Sequence, residues 1–194
     1  MRRGLCSTAI LCLVVLVTLA LGCGEEAETP TLSPTPTQYD TFSKYGFSFE
    51  YPKEMSLSEQ PSMGTIVDEN SGIVLGEKEN KELELVTVGW QGIPEPVDIE
   101  SSLIGSVAGG LAALEAGEGV EEVVRGEQLE ATKSGHQLLY QSFTVRGGGE
   151  VMRGVVSAWY CDESNRLFNL ITLYSGEDAL ALFQTYLDSF VCHQ

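Results

Sequence analysis

Histidine is nearly absent. His136 and His193 are the two in the chain, and neither has a partner at the H-x-x-x-H or C-x-x-C spacing that gathers a metal ion. No metal or cofactor is therefore expected, and His136, just after Ser134-Gly135, reads as a surface or strand-end residue. A Ser–His–Asp arrangement assembles in space and stays open, but the chain has no G-x-S-x-G elbow. Gly147-Gly148-Gly149 lacks the lysine and following helix of a phosphate loop and reads as a hairpin turn. Asp68-Glu69-Asn70 and Asp162-Glu163-Ser164-Asn165 carry oxygens suited to calcium, yet neither has the twelve-residue EF-hand spacing, and both read as turns. With no catalytic set in view, the chain is not expected to be an enzyme.

Basic side chains are the second shortage. Two of the 11 precede Cys23 while all 28 acidic residues follow it, so the chain beyond Cys23 carries nine basic against 28 acidic side chains, a net −19. Such a surface repels phosphate backbones, which argues against a nucleic-acid partner. It tolerates cations or a basic partner, and it keeps an exported domain soluble.

Long apolar runs are scarce too, and the one present opens the chain. Met1-Arg2-Arg3 leads into an apolar stretch from about Leu5 to Leu21, the pattern of an export signal over residues 1–22. It ends in Ala20-Leu21-Gly22-Cys23, which resembles the lipobox of bacterial lipoproteins, in which the cysteine becomes the first mature residue and carries lipid. The alternative is an uncleaved transmembrane anchor, since about 18 apolar or small residues is borderline for spanning a bilayer. Either reading places the rest of the chain at the extracytoplasmic face of the membrane, because Arg2 and Arg3 stay inside. Residues 23–38 continue as an acidic, Pro/Thr-rich segment holding Pro30, Pro34 and Pro36. It buries too little to fold, and its prolines keep it extended as a tether. Residues 39–194 then form one domain large enough for a real core.

Cysteine is limited to five. Cys6 and Cys12 leave with the signal and Cys23 takes the lipid, so Cys161 and Cys192 remain as a disulfide or as two separate thiols. The periodicity bears on whether they meet. Gly46–Tyr51 alternates as a half-buried strand, Thr65–Asp68 and Gly72–Leu75 are short β-rich stretches, and Leu83–Trp90 is apolar enough to be covered on both faces. Asp98 caps a helix running through Glu115, whose Gly105, Gly109 and Gly110 weaken it unless they allow close approach to a sheet. Four strands follow, about Glu121–Ala131, Gln137–Arg146, Glu150–Cys161 and Arg166–Tyr174, with short turns that imply an antiparallel meander. A final helix begins at Glu177. The last strand leads away from Cys161 by roughly 30 Å. The helix returns roughly 19 Å, and Phe190–Cys192 adds up to roughly 10 Å. The paths match, which favours a Cys161–Cys192 disulfide. Trp90 and Trp159 lie in strands and read as core. The loop Gln91-Gly92-Ile93-Pro94-Glu95-Pro96 is the candidate contact surface.

Tyr45-Gly46-Phe47-Ser48-Phe49-Glu50-Tyr51-Pro52 resembles the opening of PsbP-like domains, and Phe183 through Leu187-Asp188-Ser189-Phe190 resembles their closing helix and strand. The resemblance spans roughly residues 39 to 192, with Met55 standing where many such domains place Trp. It implies an α+β fold: a Mog1/PsbP-like α/β/α sandwich with a central, mostly antiparallel sheet and flanking helices. It also implies an accessory, protein-binding or assembly role. The resulting expectation is a membrane-anchored lipoprotein, held by membrane lipid through Cys23, that acts as a non-catalytic module for a membrane-associated protein partner. The alternative expectation is a solute- or cation-binding lipoprotein.

Overall fold

The computed structural model describes residues 37–61, 67–79, 82–93 and 98–193. The expected signal peptide, Cys23 and the tether up to Pro36 lie outside these residues, as do Pro94-Glu95-Pro96. The elements run β1 (Tyr39–Lys44), β2 (Phe47–Pro52), β3 (Ser56–Gln60), β4 (Ser71–Glu79), β5 (Leu83–Gly92), α1 (Ile99–Glu115), β6 (Glu122–Lys133), β7 (His136–Gly147), β8 (Glu150–Cys161), β9 (Arg166–Tyr174) and α2 (Ala179–Ser189). Among the described residues, no helix is long and apolar enough to cross a membrane.

β3 to β9 form one antiparallel sheet in the order β3-β4-β5-β9-β8-β7-β6, and β1 and β2 form a separate hairpin. The topology follows from two connections. α1 carries the chain from β5 to the far edge, and the β6–β9 meander brings it back until β9 pairs with β5. The tight turns are built for this: Ser134 and Gly135 have φ of 51° and 92°, and Gly148 and Gly149 have φ of 60° and 82°. Positive φ at both central residues matches the twist of paired strands.

The sheet has an apolar face on each side. One packs Leu139, Phe143, Val156 and Ala158 against Leu103, Val107 and Leu111 of α1. The other packs Trp90, Val155, Trp159 and Phe168 against α2 and against Phe42, Phe47 and Phe49 of the hairpin. In β8, Val155 and Trp159 belong to the second cluster while Val156 and Ala158 belong to the first, as the period of two requires. The rings of Phe47 and Phe190 stack with centroids 5.5 Å apart. After α2 the chain pairs with β2 through Ser48 N–H to Val191 O (2.9 Å) and Val191 N–H to Ser48 O (2.8 Å). Burying each such aromatic side chain stabilises the fold by roughly 1.5–3 kcal/mol. Met55 is buried in this same cluster.

The elements differ from the sequence reading in several places. β1 and β3 carry little apolar alternation, with Phe42 the one buried side chain of β1 and none buried in β3. Of the stretch Thr65–Asp68, Thr65 and Ile66 lie outside the described residues and Asp68 lies in a bend, while β4 runs on past Leu75 to Glu79. The last helix starts at Ala179 because Asp178 caps it, accepting from Ala181 N–H at 3.0 Å. Asp98 caps α1 as its position implied, accepting from Ser101 N–H at 3.1 Å.

Candidate functional site

Cys161 ends β8 and Cys192 follows α2, and the two sulfurs, from positions 31 apart in sequence, are joined at 2.10 Å. The bond ties the segment after α2 to the β8–β9 turn. Two histidines and two carboxylates surround it. The β7–β8 register runs from Gly147–Glu150 to Leu138–Trp159, so His136, the first residue of β7, and Cys161, the last of β8, stand at the same end of the sheet. His136 does begin a strand, but it is buried at 6% exposure, which corrects the surface part of its reading. Its Nε2 lies 3.7 Å from Cys192 Sγ and 3.3 Å from Glu163 Oε2. Its Nδ1 makes no hydrogen bond, with Oδ2 of Asp162 3.6 Å away. His193 presents Nδ1 at 3.8 Å from Cys161 Sγ, 3.6 Å from Cys192 Sγ and 3.8 Å from Glu163 Oε2. Among the described residues no serine hydroxyl bonds to the His136 ring, so the Ser–His–Asp arrangement left open by the sequence is not assembled there.

The turns behave as turns. Asp68 Oδ1 accepts from Asn70 N–H (2.8 Å) and Ser71 N–H (3.0 Å), a local side-chain turn. Asn165, with φ 51°, closes the Asp162–Asn165 turn by donating its N–H to Asp162 O at 3.4 Å. Nearby, the Arg166 guanidinium is buried and donates to the carbonyls of Tyr45, Gly46 and Glu69. Burial pushes its pKa below the ordinary arginine value. This clasp holds the Tyr45-Gly46 turn of the hairpin against the start of β9. Of the proposed contact loop, Gln91 and Gly92 belong to β5, and Ile93 N–H donates to Asn165 O at 3.1 Å.

Neither helix covers its whole face, and each leaves a groove. On the α2 side a cavity of about 410 Å³ opens over β6–β8, lined by Val124, Leu129, Tyr140, Thr144 and Arg153 and by the start of α2. Val124, Leu129 and Leu180 line it and are 45%, 42% and 55% exposed, large figures for aliphatic side chains. Arg153, Glu177 and Asp178 supply polar groups around them. An apolar centre with a charged surround is the build of a protein contact patch. On the other face a cavity of about 500 Å³ lies between α1 and strands β4, β5 and β9. Asn169 Nδ2 donates to Ser106 Oγ (3.1 Å) across that groove, among Ile73, Leu167 and Ile171.

No protein-family model matches the chain, and no curated protein matches it. Among solved structures the chain is similar to the cyanobacterial PsbP (CyanoP) of Synechocystis sp. PCC 6803, with 20% identity, 89% of this chain and 98% of that one covered, and a TM-score of 0.54. It is also similar to the Ran-binding protein Mog1p of Saccharomyces cerevisiae, with 9% identity, 81% and 96% covered, and a TM-score of 0.50. The fold is the Mog1/PsbP fold, an α+β sandwich, as the resemblance of the two chain ends to PsbP-like domains implied.

Proposed function

We propose that the protein is a lipid-anchored, extracytoplasmic accessory module that binds another membrane-associated protein and does no catalysis of its own. The observation that carries the binding role is the groove over β6–β8, where Val124, Leu129 and Leu180 stand exposed together. Burying three aliphatic side chains against a partner supplies a compact apolar anchor, and the charged groups around them set orientation. The fold agrees with this role: Mog1p, which shares it, is a Ran-binding protein. The acidic balance of the chain favours a partner with basic residues around an apolar anchor. The anchor rests on Ala20-Leu21-Gly22-Cys23 and the proline-rich segment behind it. A single acyl chain binds a bilayer only marginally, so stable attachment takes two or more.

Brief crosslinking in native membranes, capture in mild detergent and identification of what comes along test the binding role. A reproducible membrane protein supports it, and recovery of the chain alone contradicts it. Intact mass of the captured chain tests the anchor: a mass starting at Cys23 plus acyl groups supports it, and an unmodified full-length chain overturns it.

A second reading, a solute-binding lipoprotein, draws on the groove beneath α1, where apolar side chains meet the Asn169–Ser106 pair. Its cation version fails if calorimetry with millimolar calcium gives no heat.

A further inference from the structure

Around the disulfide, the fold gathers more metal-binding chemistry than a disulfide needs. One imidazole nitrogen of His136, the Sγ atoms of Cys161 and Cys192 and one carboxylate oxygen of Glu163 all lie within 4.8 Å of one another. We propose that, when Cys161 and Cys192 are reduced, these four side chains form a tetrahedral site for a zinc-type divalent ion, so that the same two sulfurs hold the C-terminal segment either as a disulfide or through a metal.

The spacing between the different side chains supports this. Zinc bonds of about 2.3 Å to sulfur and about 2.0–2.2 Å to nitrogen or oxygen, at tetrahedral angles, separate sulfur from nitrogen or oxygen by roughly 3.5–3.6 Å, and nitrogen from oxygen by roughly 3.4 Å. The observed separations are 3.7 Å for Cys192 Sγ–His136 Nε2, 3.5 Å for Cys161 Sγ–Glu163 Oε2 and 3.3 Å for His136 Nε2–Glu163 Oε2. Three of the four ligands are buried, so the site is fixed by packing rather than by mobile surface groups. Two thiolates with imidazole and carboxylate suit zinc over calcium or magnesium.

The second observation is the other nitrogen of His136. Nδ1 is buried without a hydrogen bond, and Asp162 Oδ2 stands 3.6 Å from it. A metal-bound imidazole characteristically donates its remaining N–H to a carboxylate, which fixes the ring and raises its basicity. A small approach of Asp162 completes that bond, making it a positioning residue. A cavity of about 60 Å³ beside His136, Trp159, Cys192 and His193 leaves room for the sulfurs to separate.

The exchange balances with a dithiol as reductant. The reductant's two sulfhydryls become a disulfide, and its two electrons and two protons pass to Cys161 and Cys192. Binding the divalent ion then releases the two thiol protons to solvent.

The test uses the protein as isolated from membranes in detergent, reduced with a phosphine, with a gain of two hydrogen masses as proof of reduction. Cobalt(II) is then titrated in as the probe. The expected result is one cobalt per chain, with thiolate charge-transfer absorption and the intense visible bands of a tetrahedral ion, both erased by zinc and both missing from the unreduced protein. H136Q and E163Q should each remove the tetrahedral bands, and D162N should keep their shape while weakening zinc binding about 10- to 100-fold. H193A should leave the bands intact. Absence of the bands in the reduced wild type overturns the site, as does their persistence in H136Q, and loss in H193A but not E163Q overturns the ligand set. If the reduced chain unfolds, added zinc must restore the native circular dichroism, and failure to do so overturns the proposal equally.

Discussion

The hydroxyl of Tyr186 on α2 donates to Oε1 of Glu84 on β5 at 2.6 Å, with both side chains buried. Lys78 Nζ meets the other oxygen at 3.3 Å, so the carboxylate is paired on both sides beneath the helix. Y186F removes one donor and leaves a buried acceptor unsatisfied. The expected loss is about 1–3 kcal/mol, read from urea unfolding as a lower midpoint with an unchanged slope. An unchanged midpoint would mean that the pair contributes nothing to holding α2 on the sheet.

Tyr174 gives an alkaline signature. Its hydroxyl hydrogen-bonds Glu82, and that bond, with burial and the charge of Glu82 adding to it, pushes its pKa from 10.0 up to about 12. Burial and the bond to Glu84 raise Tyr186 in the same direction. Below the unfolded pKa both states keep the proton and the contribution is whole. Above pH 10.0 the unfolded chain releases it while the folded chain holds it until about pH 12, so stability falls across that window. Y174F should show a shallower fall than wild type over the same range in urea melts, and an equal fall would refute the assignment.

The glycines of α1 are not equivalent. A Cβ at Gly105 or Gly109 meets nothing within 4 Å, whereas one at Gly110 meets Val156 Cγ2 at 2.9 Å and Ile171 Cδ1 at 3.2 Å. G105A and G109A should each raise stability by about 0.5–1 kcal/mol through helix propensity. G110A should give no gain or a net loss, because the added methyl presses on the sheet. Equal gains at all three positions would show that α1 can lift away freely.

Removing the covalent tie should be costly. In the double variant C161S/C192S the loop closed between positions 31 apart opens, and chain entropy sets the expected loss at about 3–4 kcal/mol. Unfolding in urea without reductant measures it. A loss under ~1 kcal/mol would mean that the packing of Phe190 and the Ser48–Val191 pairing already hold the C-terminal segment.

What could be read ahead of the structure depended on burial. β8 and β9 begin and end where the spacing predicts, because buried apolar strands bounded by Gly-Gly-Gly and Asp162–Asn165 leave few alternatives. β1 and β3 escaped because most of their side chains meet water, and alternation is written only where one face is buried. The out-and-back path from Cys161 was legible, but its histidine surround was not. The missing signal was register: a β7–β8 hairpin turning at Gly148-Gly149 brings the start of β7, with His136, to the end of β8, with Cys161, a proximity no local motif records. The grooves were beyond reach because they depend on where each helix stops covering its face.

The most direct test of the account places a photoreactive amino acid at Leu180 or Leu129, with Ile104 on the exposed side of α1 as the comparison, and irradiates intact membranes. The expected result is one and the same partner band from positions 180 and 129, absent from position 104 and lost from position 180 when Leu129 is also changed to Asp. No band from either groove position, or an equal band from position 104, would contradict a binding role for this face.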